Sequence, residues 1–107
     1  MWNCNQSVTI ESKDAINLVT NGKYYFLDVR TTREHADRAI PNTKCIPLQE
    51  IEKRLSELNN YKDKIIIVYC RSGNRSGKAT KILKENGFDA INLIGGINSW
   101  EGDIVQN

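Results

Sequence analysis

The chain has 107 residues, enough to bury one hydrophobic core but not two. Hydrophobic residues make up 39% and charged residues 26%, which excludes disordered and collagen-like classes. Fifteen Lys and Arg against thirteen Asp and Glu leave a net charge of +2, too weak a field to imply nucleic acid or a membrane surface. No apolar run approaches the roughly 20 residues that span a bilayer. The start, Met1-Trp2-Asn3-Cys4, lacks a basic segment followed by an apolar one, so the expectation is no export signal and a cytoplasmic location.

In chain order, Val8-Thr9-Ile10 reads as a short strand. Ser12 is placed to cap a helix with Ala15, Ile16 and Val19 on one face, closed by Asn21-Gly22, where glycine tolerates the left-handed conformation. Tyr24 to Val29 is a strand, and Thr31-x-x-Glu34 resembles a capping box opening a short helix. Lys44-Cys45-Ile46 is a brief strand closed by Pro47, after which Leu48, Ile51, Leu55 and Leu58 recur at helical spacing. Ile65 to Tyr69 is a continuous run rich in β-branched residues, the mark of a central strand covered on both faces. A helix runs from Arg75 or Ser76 to Asn86 with Ala79, Ile82 and Leu83 inward and Gly87 as its stop. Ala90 to Leu93 is the last strand, followed by Gly95-Gly96 and a helical turn through Trp100. Such alternation predicts an α/β domain with a mostly parallel sheet, whose ligand crevice lies at the carboxyl ends of the strands.

That rule directs attention to Cys70-Arg71-Ser72-Gly73-Asn74-Arg75-Ser76, which follows the central strand. Small residues let successive backbone N–H groups curl around a negative atom, and the next helix points its positive end at the same place. With Arg71 and Arg75 adding charge, each influence favours thiolate over thiol, so Cys70 is expected to titrate below the ordinary value of about 8.5. Of the other cysteines, Cys45 reads as a small core residue and Cys4 as an exposed thiol near the terminus. Wide cysteine spacing and a lone histidine, His35, predict neither a zinc site nor a disulfide scaffold.

The chain resembles the rhodanese family from about Val8 to Glu101. The resemblance is carried by Leu27-Asp28-Val29-Arg30 before Thr32-Arg33-Glu34, by Ile40-Pro41 and Ile46-Pro47, by the Cys70–Ser76 loop, and by Leu93-Ile94-Gly95-Gly96-Ile97-x-x-Trp100. It implies a rhodanese-like α/β fold over residues 1–107 as a single domain, with a mostly parallel sheet of about five strands and helices on both faces. It also implies a sulfurtransferase in which Cys70 takes sulfur from a small anionic donor such as thiosulfate, holds it as a persulfide, and passes it to a thiol or cyanide. Arg71 to Ser76 would bind the donor, the two arginines through its oxyanion, with Asp28 and Arg30 as supports. No metal or cofactor is expected, and no nucleic acid or membrane partner; a protein sulfur acceptor is the open possibility.

Three alternatives stand beside this reading: a related cysteine phosphatase or arsenate reductase, a binding module without turnover, and a persulfide carrier serving a partner enzyme. The first needs an arginine where this loop has Ser76, with Arg75 one residue early. Arg30 is expected to pair with Glu34, His35 to be structural, and Trp100 to pack at the crevice rim or in the core. One departure from the family pattern is Arg38-Ala39-Ile40-Pro41-Asn42-Thr43, where many members read Gly-His-Ile-Pro-Gly-Ala. Asn42 is expected to keep the left-handed turn, while the shape and charge of that wall, and hence donor preference, are expected to differ.

Overall fold

Five parallel strands form one sheet in the order β1-β5-β4-β2-β3, as seen in a computed structural model that describes residues 8–106. The strands are β1 (Thr9–Ile10), β2 (Tyr24–Asp28), β3 (Lys44–Cys45), β4 (Ile65–Tyr69) and β5 (Asp89–Leu93). The α-helices are α1 (Ser12–Ala15), α2 (Thr32–Asp37) and α3 (Asn74–Glu85). Cys4 lies outside the described residues.

β4 sits at the centre, with Asp28 opposite Tyr69 on one side and Asn92 opposite Val68 on the other. Its alternating side chains feed two cores. Ile66 and Val68 join Leu27, Val29, Ala79 and Leu83 beneath α3, whereas Ile67 and Tyr69 join Ala15, Phe26 and Leu93 on the opposite face. Burial on both faces is why this stretch carries no polar alternation. Cys70 continues the 66–68 side, so its thiol faces α3.

Several local expectations hold and others change. Thr31 and Glu34 form both halves of the capping box that opens α2. Gly87 takes φ +87° at the end of α3, with Phe88 N–H on the Leu83 carbonyl closing the turn. Asn42 adopts φ 62° and keeps its turn. Ser12, by contrast, does not cap α1: it is the first helical residue, and its buried hydroxyl accepts from the Glu101 N–H at 3.0 Å. Gly22 is not left-handed; the turn is held instead by the Asn21 side chain accepting from Lys23 N–H.

The segment with Leu48, Ile51, Leu55 and Leu58 forms two 3₁₀ stretches, Leu48–Glu50 and Leu55–Tyr61, rather than an α-helix. Ile51 and Leu58 still reach the core, and Tyr61 stacks on Tyr25 with centroids 3.8 Å apart. Trp100 packs edge-on to Phe26 in the core across the sheet from Cys70, not at the crevice rim.

Candidate active site

The chain leaves β4 at Tyr69, and the next residue is Cys70, only 1% exposed. Gly73 takes φ +113°, a left-handed conformation that a side chain would strain, and the turn starts α3 at Asn74, one residue earlier than expected. The reversal brings the Gly73 N–H to 3.1 Å from Cys70 Sγ and the Ser76 hydroxyl to 3.4 Å. Burial pushes the thiol up, because an anion loses its water. The Ser76 hydroxyl and the backbone amides of Ser76, Gly73 and Ser72 outweigh it, and the net shift is downward.

A second loop fixes the first. Ile97 N–H donates to the Cys70 carbonyl at 2.9 Å and Asn98 N–H to the Arg71 carbonyl at 3.1 Å. Gly96 makes this approach possible: a Cβ there would lie 2.4 Å from Cys70 O and 2.7 Å from Arg71 O. Gly96 with the amides of Ile97 and Asn98 is therefore a docking surface for the cysteine backbone. Asn92 on β5 clamps the loop from below, its Nδ2 donating to Gly73 O and its Oδ1 accepting from the Ser76 hydroxyl. Neither a strand asparagine nor its partners 16 and 19 positions earlier carry a local signal, and the sequence reading missed it.

The two loop arginines differ. Arg75 gives both guanidinium nitrogens to Glu34, at 2.9 and 3.1 Å, and this pair holds the Glu34 carboxyl down at about 2. The expected Arg30–Glu34 pair is thus replaced by Arg75–Glu34. Arg30 instead forks onto Asp28, at 2.9 and 2.7 Å, with both side chains buried and the Arg38 carbonyl accepting from the same guanidinium. It is a buried pair, not a surface one, and its guanidinium also lies over the Tyr69 ring. Arg71 is exposed, with no ion pair among the described residues. It borders a cavity of about 310 Å3 with Arg30, Glu34, Asp37, Arg38 and Ile97. Arg38, from the segment that departs from the family pattern, is the other arginine on that wall without an ion pair.

His35 Nδ1 lies 2.9 Å from Asp28 Oδ2, consistent with a structural place. The Cys45 thiol sits half-buried against the Arg30 and Thr31 carbonyls, pushed up to about 11 chiefly by burial and then by Asp28. Asp28, His35 and Cys45 present their donor atoms within 4.8 Å of one another. Arg30 covers both carboxylate oxygens, so the trio has no open carboxylate to offer a metal. Among the described residues, no helix is long and apolar enough to cross a membrane.

Residues 11–103 match the family described as Rhodanese-like domain. The chain is 38% identical over 94 residues to YrkF of Bacillus subtilis (strain 168), a protein named provisionally as a sulfur carrier; the alignment covers 87% of this chain and 45% of YrkF. It is 40% identical over 75 residues to a sulfurtransferase of Allochromatium vinosum, covering 69% of this chain and 68% of that one. The chain therefore spans less than half of one relative and about two thirds of the other. Among solved structures it resembles the rhodanese-like domain protein of Staphylococcus aureus, with a TM-score of 0.83, 33% identity, and coverage of 94% of this chain and 98% of that one.

Proposed function

Given that the chain belongs to the rhodanese-like domain family, we propose that it is a sulfurtransferase that carries sulfane sulfur as a persulfide on Cys70. The observation that supports this most is the Gly73 amide aimed at a buried sulfur whose titration is shifted downward. A buried thiol with no such donors would stay protonated and inert. Here the thiolate attacks the outer sulfur of an anionic donor such as thiosulfate. The Sγ–S bond forms as the donor S–S bond breaks, sulfite leaves with the electron pair, and the negative charge ends on the outer sulfur. A thiol acceptor, or cyanide in an assay, then takes that sulfur and returns Cys70 to the thiolate. Sulfite is a good leaving anion, so the step needs no general acid.

Arg71 and Arg38, neither of which makes an ion pair among the described residues, hold the donor's oxyanion at the cavity. Arg75, already forked onto Glu34, orders the loop, and Asp28 with Arg30 supports the wall beside it. A phosphatase would need its arginine at the position of Ser76, and Arg75, one residue earlier, is already forked onto Glu34. A protein acceptor suits the chain's similarity to YrkF, named as a carrier. Reduced thiols at Cys45 and Cys70 fit the cytoplasm. The test is intact mass after incubation with thiosulfate. One added sulfur, removed by cyanide and never acquired by Cys70→Ser, is expected; equal loading of Cys70→Ser would overturn the assignment.

A further inference from the structure

Asn92 sits on β5 in register with Val68, two residues before the cysteine. Its Nδ2 donates to Gly73 O at 3.2 Å, and its Oδ1 accepts from the Ser76 hydroxyl at 2.5 Å. A carbonyl oxygen only accepts, so the atom facing Gly73 has to be the amide nitrogen. That turns Oδ1 toward Ser76, and Oδ1 also only accepts. The one hydroxyl proton of Ser76 therefore points at Asn92. Ser76 is fully buried, at 0% exposure. In this state its Oγ, 3.4 Å from Sγ, can only receive a hydrogen bond from the cysteine. The thiol form is thus a relay from S–H to Oγ and from Oγ–H to Oδ1. A thiolate inverts the demand: it accepts only, and the proton has to leave Asn92 to serve it.

We propose that Asn92 is a positioning residue for the Ser76 proton, taking it whenever Sγ is uncharged and yielding it whenever Sγ is a thiolate. The inference rests on the sulfur-transfer reading of Cys70. When the Sγ–S bond forms and sulfite departs, the negative charge passes from Sγ to the outer sulfur. Sγ becomes a neutral sulfur and a poor acceptor, and the hydroxyl turns back to Asn92. Delivery of the outer sulfur reverses the turn. The rotation of one hydroxyl follows the charge, with no proton entering or leaving the site.

Removing the Asn92 side chain has two opposed effects: it releases the Ser76 hydroxyl to the thiolate and loosens Gly73, whose N–H serves the same sulfur. A double-mutant cycle separates them. The Cys70 titration is read from the carbon-13 shift of its Cβ in wild type, Asn92→Ala, Ser76→Ala and the double variant. The charged groups around the sulfur are unchanged in all four: Arg71, Arg75 with Glu34, and Asp28 with Arg30 and His35. The expected result is that Asn92→Ala moves the titration lower with Ser76 present than with Ala in its place, by about one pH unit, a tenfold change in thiolate at fixed pH. An equal shift in both backgrounds, or a higher one with Ser76, would overturn the proposal. The isosteric Asn92→Asp is the second variant: its carboxylate holds the proton harder, so it raises the titration by more when Ser76 is present. The measurement uses no donor, so failure of this coupling and failure of sulfur loading are separate results.

Discussion

At the scale of single residues, two thiols at the carboxyl ends of parallel strands have opposite chemistry. The hydrogen bonds of Cys45 go to carbonyl oxygens, which offer an anion nothing, and Arg30 and Arg54 do not offset its burial and the nearby Asp28 charge. Cys70 meets an amide and a hydroxyl. A thiol is a nucleophile only as its anion, so a raised titration keeps Cys45 inert until pH nears 11, while a lowered one opens Cys70 earlier. Carbon-13 labelling of the cysteines is expected to show Cys70 losing its proton below the ordinary value of about 8.5 while Cys45 is still a thiol. Coincident titrations would contradict the contrast. Cys70 was legible because strand, small-residue turn and helix start are contiguous in sequence. The Arg75–Glu34 pair spans 41 positions, so no spacing rule reaches it.

At the scale of elements, the cysteine loop takes its shape from the glycine turn that follows β5. The backbone of Gly96 at φ +54° and its contact with the Cys70 carbonyl leave no room for a methyl group. Gly96→Ala is expected to lose about 1–3 kcal/mol from backbone strain alone and to lose sulfur loading as the loop shifts. Gly22→Ala, where nothing lies within 4 Å, is the control and is expected to leave both unchanged. Thermal unfolding and the intact-mass assay read the two effects; a Gly96→Ala protein that loads sulfur normally would show that this docking is not needed. Helix α3, strand β4 and the capping box of α2 were readable because each is specified within a few residues. The 3₁₀ stretches were not, since apolar spacing alone does not distinguish them from an α-helix.

At the scale of the molecule, the Arg75–Glu34 pair ties α2 to α3 across two crossovers of the parallel sheet. Glu34 titrates at about 2 when folded against an ordinary 4.5. A lowered carboxyl contributes stability that is fully present above pH 4.5 and is lost as pH falls through 2. Glu34→Gln keeps the capping box but removes the charge. It is expected to cost about 1 kcal/mol at neutral pH, a modest figure because the pair is partly exposed. The cost should vanish at the acid end of that window. Melting temperatures of the two proteins measured down the pH scale check this, and a gap that stays constant would assign the effect to the cap instead. Glu57, held near 2 by Arg54 and Lys44, titrates in the same range and is common to both.

The backbone and side-chain groups that set Cys70 apart come after it in the chain: Ser72, Gly73, Ser76, Asn92, Gly96 and Ile97. During synthesis the sulfur leaves the ribosome ahead of all its donors. Until the turn at Gly96 has emerged and settled against Cys70 and Arg71, the nascent polypeptide carries an ordinary, sluggish cysteine. Reactivity arrives with the completed sheet, so the lowered titration belongs to the folded chain and not to its parts.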